Sequence, residues 1–385
     1  MPLIIATTLR ERGETGVHTH IRQLQMHLKQ RNTTASLVTP LSQNRAAAIP
    51  IFAVSTLLRP LSGSATVAWY LYWHRIFLCK ALSRLLAQTN ECVIYAQSPT
   101  AAHAALKARK GPHQRVVLAV HFNGSYALEF AISGYIRHGG LAYRSIKRAE
   151  ATIIPRTDGI VYVSNAAREQ LLSWLPEAAS VHSAVINNFV GSPSASSAEA
   201  AGAELVSVGA LRPLKNHRFL LQVLAEARQA GRIITLDVFG VGSCQKELIK
   251  LTCSLGLETQ VRWRGFRADV ASLLSSYKVY VHASLSEALP LALVEALAAG
   301  LPIVAGDVGG ISEMGESGLE IRFWPLDDPA KAATILTELL DCEPTRLKAA
   351  AAASARFHLD FDAQVLGDRL ASFLMDAEST APTGN

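Results

Sequence analysis

Glu287 and Glu295 stand eight positions apart in SEALPLALVEALAAGLPIVAGDVGG, residues 286–310, a run otherwise almost wholly apolar. A lone charge on so apolar a segment has little solvated face to occupy, which makes the pair chemically interesting. The pattern predicts a helix that begins at Leu289 and Pro290, passes through Leu291 and ends near Ala299, where Gly300 caps it and Pro302 forbids continuation. Glu287 then lies in the loop before the helix and Glu295 a turn and a half inside it. Between them the helix start offers unpaired N–H groups and a partial positive charge, a seat for an anion. Carboxylates beside such a seat suit an anion that belongs to a larger, hydroxyl-bearing ligand, because a carboxylate accepts two hydrogen bonds from a vicinal diol. A nucleotide sugar has such diols on both its sugars. The plain alternative, a first-turn glutamate and a solvated helix residue, fits Glu295 poorly in LPLALVEALAAG.

The elements that must position these residues are legible in the same way. The chain has 385 residues, 49% of them hydrophobic and 18% charged, enough for two cored domains and far from the disordered range. In the second half AELVSVGAL, RIITLDVFG, QVRWRGF, VYVHAS and LPIVAGD read as strands. NHRFLLQVLAEARQAG, CQKELIKLTCSLGL and ADVASLLSSY read as the helices between them. Such alternation makes a parallel sheet covered by helices on both faces. The first half repeats the theme with PLIIATT, TASLVTP, ECVIYAQ, RVVLAVH and GIVYVS. The expected fold class is therefore α/β, two Rossmann-like doubly wound domains facing across a cleft. The boundaries read as 1–190 for the N-terminal domain, 191–203 for a small-residue linker and 204–360 for the C-terminal domain. A helix over 361–378 returns to the N-terminal domain, and a disordered tail covers 379–385. Doubly wound domains bind ligands at the carboxyl ends of their strands.

Taken together, these segments resemble family 4 of the retaining glycosyltransferases, which have the GT-B fold. The stretch SEALPLALVEALAAGLPIVAGDVGGISE resembles that family's E-x7-E signature, with both glutamates, Gly300, Pro302, Gly309, Gly310 and Glu313 in register. The resemblance implies that Glu295 holds the ribose hydroxyls of a donor nucleotide and that Glu287 binds hydroxyls of the transferred sugar. VSVGALRPLKNHRFLLQVLAEA resembles the strand, loop and helix whose Arg and Lys grip the donor diphosphate. That assigns Lys215 and Arg212, although Ala210 stands where many members carry the Arg. Gly240 and Gly242 in DVFGVGS match the short glycine turn beside the donor. As a dinucleotide fingerprint they are incomplete, because Gln245 replaces the third glycine. The loop of Arg264 to Arg267, with Phe266, resembles the one whose backbone meets the nucleotide base. Gly16, in RGETGVHTH, resembles the glycine-rich loop after the first strand, and His121, at the end of LAVHFNG, takes a position that faces the transferred sugar in relatives. A histidine alone in that place also fits a satisfied core residue.

The function implied is transfer of a hexose-type sugar from a UDP- or GDP-linked donor to an acceptor hydroxyl, with retention of configuration, Glu287, His121 and Lys215 being the catalytic candidates. No cofactor and no metal is expected, since nothing resembles the paired aspartates of metal-dependent transferases. A nucleotide-sugar sensor without catalysis would lack the groups at the sugar, and an NAD-dependent enzyme would need the complete fingerprint. Residues 1–200 hold 20 Lys and Arg against 9 Asp and Glu, and the remainder 17 against 22. A basic first half suits a glycan or lipid-linked acceptor at an anionic membrane surface, as in assembly of bacterial surface polysaccharide or lipopolysaccharide, and nucleic acid is not expected as a partner. The five cysteines form no metal or disulfide pattern and fit a reducing compartment. The expected location is cytoplasmic, with peripheral contact to the inner face of the membrane. The aromatic run WYLYWHRIF, Trp69 to Phe77, reads either as packing within the fold or as a helix lying in lipid headgroups.

Overall fold

The computed structural model describes residues 1–11, 13, 15–43, 45–59, 61–192 and 202–376. The linker expected over 191–203 lies outside the described residues from 193 to 201, and the tail expected over 379–385 lies wholly outside them. The chain divides into two compact units, Met1–Gly13 with Val17–Asn187 and Leu366–Asn385, and Glu14–Gly16 with Asn188–Val365.

In the first unit the order is β1 (Leu3–Ala6), α1 (Gly16–Gln30), β2 (Ala35–Val38), α2 (Arg45–Leu58), α3 (Gly63–Leu86), β3 (Cys92–Ala96) and α4 (Pro99–Ala108). It continues with β4 (Gln114–Val120), α5 (Tyr126–Ile132), α6 (Leu141–Ile153), β5 (Gly159–Tyr162), α7 (Asn165–Leu172) and β6 (Ser183–Val185). The sheet runs β2-β1-β3-β4-β5-β6, every pairing parallel. Its inner strands, CVIYA and QRVVLAV, are buried along their whole length, as strands covered on both faces must be. Ser98, Ser125 and Ser164 each accept a backbone N–H at the start of α4, α5 and α7, so short polar residues mark where strand gives way to helix.

The second unit contains β7 (Leu205–Val208), α8 (His217–Gln229), β8 (Leu236–Phe239), α9 (Gln245–Ser254), β9 (Val261–Gly265), β10 (Val279–His282) and α10 (Leu291–Ala298). After these come β11 (Ile303–Gly306), β12 (Ile321–Trp324), α11 (Pro329–Asp341) and α12 (Glu343–Asp360). Its sheet, β12-β11-β10-β7-β8-β9, is also parallel throughout. Phe219, Leu220, Val223, Leu224 and Ala227 give α8 a wide buried face over the core built on Leu205, Leu236, Val238 and Val281. The last helix, α13 (Ala363–Met375), belongs to the first unit from Leu366 onward. There Asp368 meets His27 at 2.9 Å and Arg31, and Arg369 donates to the Val185 carbonyl at 3.4 Å.

One expected helix takes another form. ADVASLLSSY is a 3-10 turn over Val270–Ser276, because Ser272 and Ser276 turn their hydroxyls back onto the Asp269 and Leu273 carbonyls at 2.7 and 2.6 Å. The aromatic run lies on α3 and packs against α2: Trp69 donates Nε1 to the Ile51 carbonyl at 2.8 Å, and His74 stacks on Phe52 at 4.1 Å. No helix among the described residues is long and apolar enough to cross a membrane.

Candidate functional site

The site is built at the carboxyl ends of β7, β8, β9 and β10. After β7 the chain passes Gly209 to Leu211, makes a 3-10 turn over Pro213–Lys215 and reverses at Asn216, whose φ of +50° starts α8. That tight reversal fixes the direction of Lys215. After β10 the chain crosses Ser284 to Ala288 and enters α10 at Pro290, which has no N–H to leave unpaired. The two loops are laced where the Leu285 N–H donates to the Leu214 carbonyl at 2.9 Å, and the Gly310 N–H, from the turn after Ile303–Gly306, donates to the Glu287 carbonyl at 3.1 Å.

Glu287 is the centre of charge. Its side chain is 10% exposed, and one oxygen, Oε1, takes both the Lys215 Nζ and His282 Nε2, the latter at 2.9 Å. Burial alone would raise this carboxyl, but the Lys215 ammonium and the His282 hydrogen bond outweigh it and hold it well below its ordinary value. Glu287 is therefore a carboxylate, and both of these contacts fall on one of its two oxygens.

Glu295 sits in the second turn of α10, half-buried. Both it and Glu287 act on the phenol of Tyr280, which burial chiefly, and then these two charges, push above its ordinary range. The Tyr280 hydroxyl is locked to the backbone of Val208, receiving its N–H and donating to its carbonyl at 3.0 Å each. Leu289, Pro290 and Leu291 are buried, and Asn188 anchors the helix start by donating Nδ2 to the Leu289 carbonyl at 2.8 Å.

Gly240 and Gly242 let two loops approach closely at the backbone. A Cβ on Gly240 would come within 2.0 Å of the Gly209 carbonyl oxygen, and one on Gly242 within 2.3 Å of that of Leu211. Their loop exchanges hydrogen bonds with the Lys215 loop, Leu211 N to Val241 O at 3.0 Å and Cys244 N to Leu211 O at 2.9 Å. Arg264 turns back to the buried Asp237 at 3.9 Å, where Arg262 and the Tyr277 hydroxyl also converge, so its guanidinium is engaged within the protein. Phe266 is 47% exposed and Arg212 is exposed. Gly16 groups with the second unit, and a Cβ there would meet Leu291 Cδ1 at an ordinary 3.7 Å.

His121 belongs to the first unit, at the end of β4. It shares a hydrogen bond with Gln97 Oε1 at 3.0 Å and meets the His20 ring edge-on at 4.7 Å. Burial, reinforced by His20, lowers it well below its ordinary value, so the imidazole is neutral.

Sequence reasoning missed His282, Tyr280 and His217. The first two share one face of a strand that is otherwise apolar, and that i, i+2 pairing was the available signal. His217, the first residue of α8, is buried with Nδ1 unpartnered; burial, with His282 and Lys215, pushes it down to about 3. The buried Ser284 hydroxyl also has no hydrogen-bond partner, so two orphaned polar atoms adjoin the Glu287 loop. Among the described residues no group of three His, Cys, Asp or Glu side chains is placed to hold a metal ion.

Comparisons with known proteins agree with this architecture. Residues 195–356 match the family model for glycosyl transferases group 1, and residues 15–191 that for glycosyltransferase family 4. WcaL of Salmonella typhimurium, named for colanic acid biosynthesis, is 26% identical over 180 residues, 44% of each chain. AmsK, the amylovoran biosynthesis glycosyltransferase of Erwinia amylovora, is 26% identical over 178 residues, again 44% of each chain. These alignments span less than half of either relative. The crystal structure of Anabaena HepE in complex with UDP-glucose superposes with a TM-score of 0.71 at 19% identity, covering 97% of this chain and 99% of that one. Two parallel six-stranded sheets with this order, the glutamate pair in register and family models spanning both halves lead to one assignment: the chain belongs to the family 4 glycosyltransferases of the GT-B fold.

Proposed function

We propose that the protein is a retaining glycosyltransferase that moves a hexose-type sugar from a UDP- or GDP-linked donor to a hydroxyl of a lipid-linked or membrane-proximal glycan. The observation that carries the reading is the convergence of Lys215 and His282 on Glu287 at the start of α10, with Glu295 one helix turn on. A pyrophosphate at that helix start meets the free amides of its first turn and the Lys215 ammonium, which can exchange the Glu287 carboxylate for a phosphate oxygen. Glu287 accepts from hydroxyls of the transferred sugar through the oxygen that Lys215 and His282 do not touch, and Glu295 accepts from the ribose diol.

The bond from the anomeric carbon to the diphosphate oxygen breaks as the acceptor oxygen bonds to the same face of that carbon. The departing diphosphate oxygen takes the acceptor's proton, and Lys215 with the helix amides stabilises the charge that grows on it. Charge neutralisation is thereby assigned to protein groups, with no metal. The solved complexes of HepE hold UDP and UDP-glucose, and the names of WcaL and AmsK refer to colanic acid and amylovoran biosynthesis, which supports a UDP-sugar and a glycan acceptor. The test is a thermal-shift panel of UDP, GDP and NAD, followed by donor hydrolysis with and without a chelator. Stabilisation by one nucleoside diphosphate and chelator-insensitive hydrolysis are expected; stabilisation by NAD alone would overturn the proposal.

A further inference from the structure

Residues 99–156 hold nine Lys and Arg against two Asp and Glu. Four of these cations gather where α4 and α6 end, at the amino-terminal side of the first unit's sheet, around a cavity of about 490 Å³. Lys107 comes from α4 and Arg109 from its C-cap, Arg148 from α6, and Arg156 from the 3-10 turn Ile154–Arg156 that follows it. Leu106 and the buried Ile153 add apolar surface. A cation in the last turn of a helix is ordinary, because it faces the negative end of the dipole. Four of them lining one concavity repel one another, and that arrangement asks for an anion between them.

The neighbouring acids are engaged elsewhere. Asp158 Oδ2 accepts from Arg109 and from the Val116 N–H at 2.7 Å each. Glu150, on the inner side of α6, accepts from the Tyr126 and Ala127 N–H groups at 2.6 and 3.4 Å. Among the described residues Lys107, Arg148 and Arg156 have no carboxylate within salt-bridge reach. His103 lines the same cavity, with Nδ1 at 3.3 Å from Nη1 of Arg75 on α3. A guanidinium can only donate, so Nδ1 is the acceptor and the ring proton sits on Nε2, a donor without an acceptor among the described residues. Burial, followed by Arg75 and Lys107, pushes His103 down to about 4, which keeps the ring in that neutral form.

We infer that this cavity binds a soluble small molecule that bears phosphate, a monoester or a diphosphate with at least two negative charges. Arg148 and Arg156 present forked donors that match phosphate oxygens, Lys107 supplies a third compensating charge, and the rest of the ligand covers Leu106 and Ile153. The concavity has the size of a small-molecule site, whereas the flat face of a bilayer or of another protein would reach only its rim. The inference goes beyond the sugar-transfer reading, because no residue given a role there lines the cavity. The seven residues of β4 put about 20 Å between its amino end, on this side of the sheet, and His121.

The test is footprinting of the full chain by lysine acetylation and by phenylglyoxal, read residue by residue in a mass spectrometer. Inorganic pyrophosphate is the probe and sodium chloride at equal ionic strength the reference. Pyrophosphate at about ten times its dissociation constant should slow modification of Lys107, Arg148 and Arg156 about tenfold, and leave Lys250, exposed on the second unit, unchanged. Arg148→Gln/Arg156→Gln, at two exposed positions, should need about a hundredfold more pyrophosphate to protect Lys107, since each change deletes a charge-assisted contact. Glu295→Ala should leave the protection of Lys107 intact, which separates this cavity from any pyrophosphate held at the start of α10. The inference fails if pyrophosphate protects no better than sodium chloride, or if Lys107 is protected undiminished in the double variant. It also fails if citrate or phosphatidylglycerol vesicles protect these residues and pyrophosphate does not, since the ligand would then be a polycarboxylate or a lipid surface.

Discussion

Replacing Lys215 by Met removes one of two donors from a carboxylate that is 10% exposed, while leaving a side chain of similar length in its place. Breaking a buried pair by deleting one partner costs about 3–5 kcal/mol. Lys215 is itself 26% exposed and His282 stays on the same oxygen, so a discounted loss of about 2–3 kcal/mol is expected. For a unit of this size that lowers its unfolding midpoint by roughly 5–10 °C. The double variant Lys215→Met/Glu287→Gln removes the stranded charge and should regain most of the loss, giving a coupling of about 2 kcal/mol in a double-mutant cycle. The pH dependence carries the same information. Because the folded carboxyl lies below its ordinary value of 4.5, its contribution is present above that pH and fades as pH falls through and beneath it. The parent chain should therefore lose stability faster than Lys215→Met on acidification below about 4.5. The assay is urea unfolding without nucleotide, followed by near-UV signals from the second unit, since two units need not unfold as one transition. A loss under ~0.5 kcal/mol together with no coupling to Glu287 would refute the claim that this pair organises the loop.

Glu295→Ala should weaken UDP binding about tenfold or more in calorimetric titration, whereas Glu287→Gln should mainly lower turnover of the donor. Gly242→Ala should destabilise the second unit by about 1–3 kcal/mol in the same unfolding assay, because its new methyl meets the Leu211 carbonyl oxygen and backbone cannot step aside cheaply. In the first unit burial pushes Glu150 up to about 7 against the opposing N–H groups of Tyr126 and Ala127 and the charge of Lys147. Its folded value exceeds the unfolded one, so stability should decline as pH rises from 4.5 toward 7, and Glu150→Gln should flatten that decline in thermal melts taken across the range.

Most of the strands and the helices between them were legible because parallel strands covered on both faces are short apolar runs, and the covering helices have one apolar side. Among the segments that escaped are α2, which is apolar on all sides, and β6 and β12, where SAV and IRFW are too short to show a period. Glu287, Glu295 and Lys215 stood out through an acidic or basic residue in a distinctive run. What they touch did not. The Lys215–Glu287 contact spans 72 residues of sequence, and His282 enters it only because β10 ends where the loop folds back. The loop of Arg264 was read as one whose backbone meets a base; that the Arg264 side chain turns to Asp237, buried one strand away, is a pairing set by sheet order rather than by any local pattern. Gly240 and Gly242 were read as the short glycine turn beside a donor, and the crowding they relieve from the neighbouring loop was not visible in the sequence.

The mutual hydrogen bonding of the loops after β7, β8 and β10 also bears on how such an enzyme can be redesigned. Leu211 bonds to Val241 and Cys244, Leu214 to Leu285, and Gly240 to Gly265, so lengthening any one of these turns would pull at its neighbours. Under the proposed reading, donor preference would be altered by side-chain exchange at exposed points such as Arg212 and Phe266, with the frame left at its native length, whereas grafting a foreign loop here amounts to transplanting the whole set.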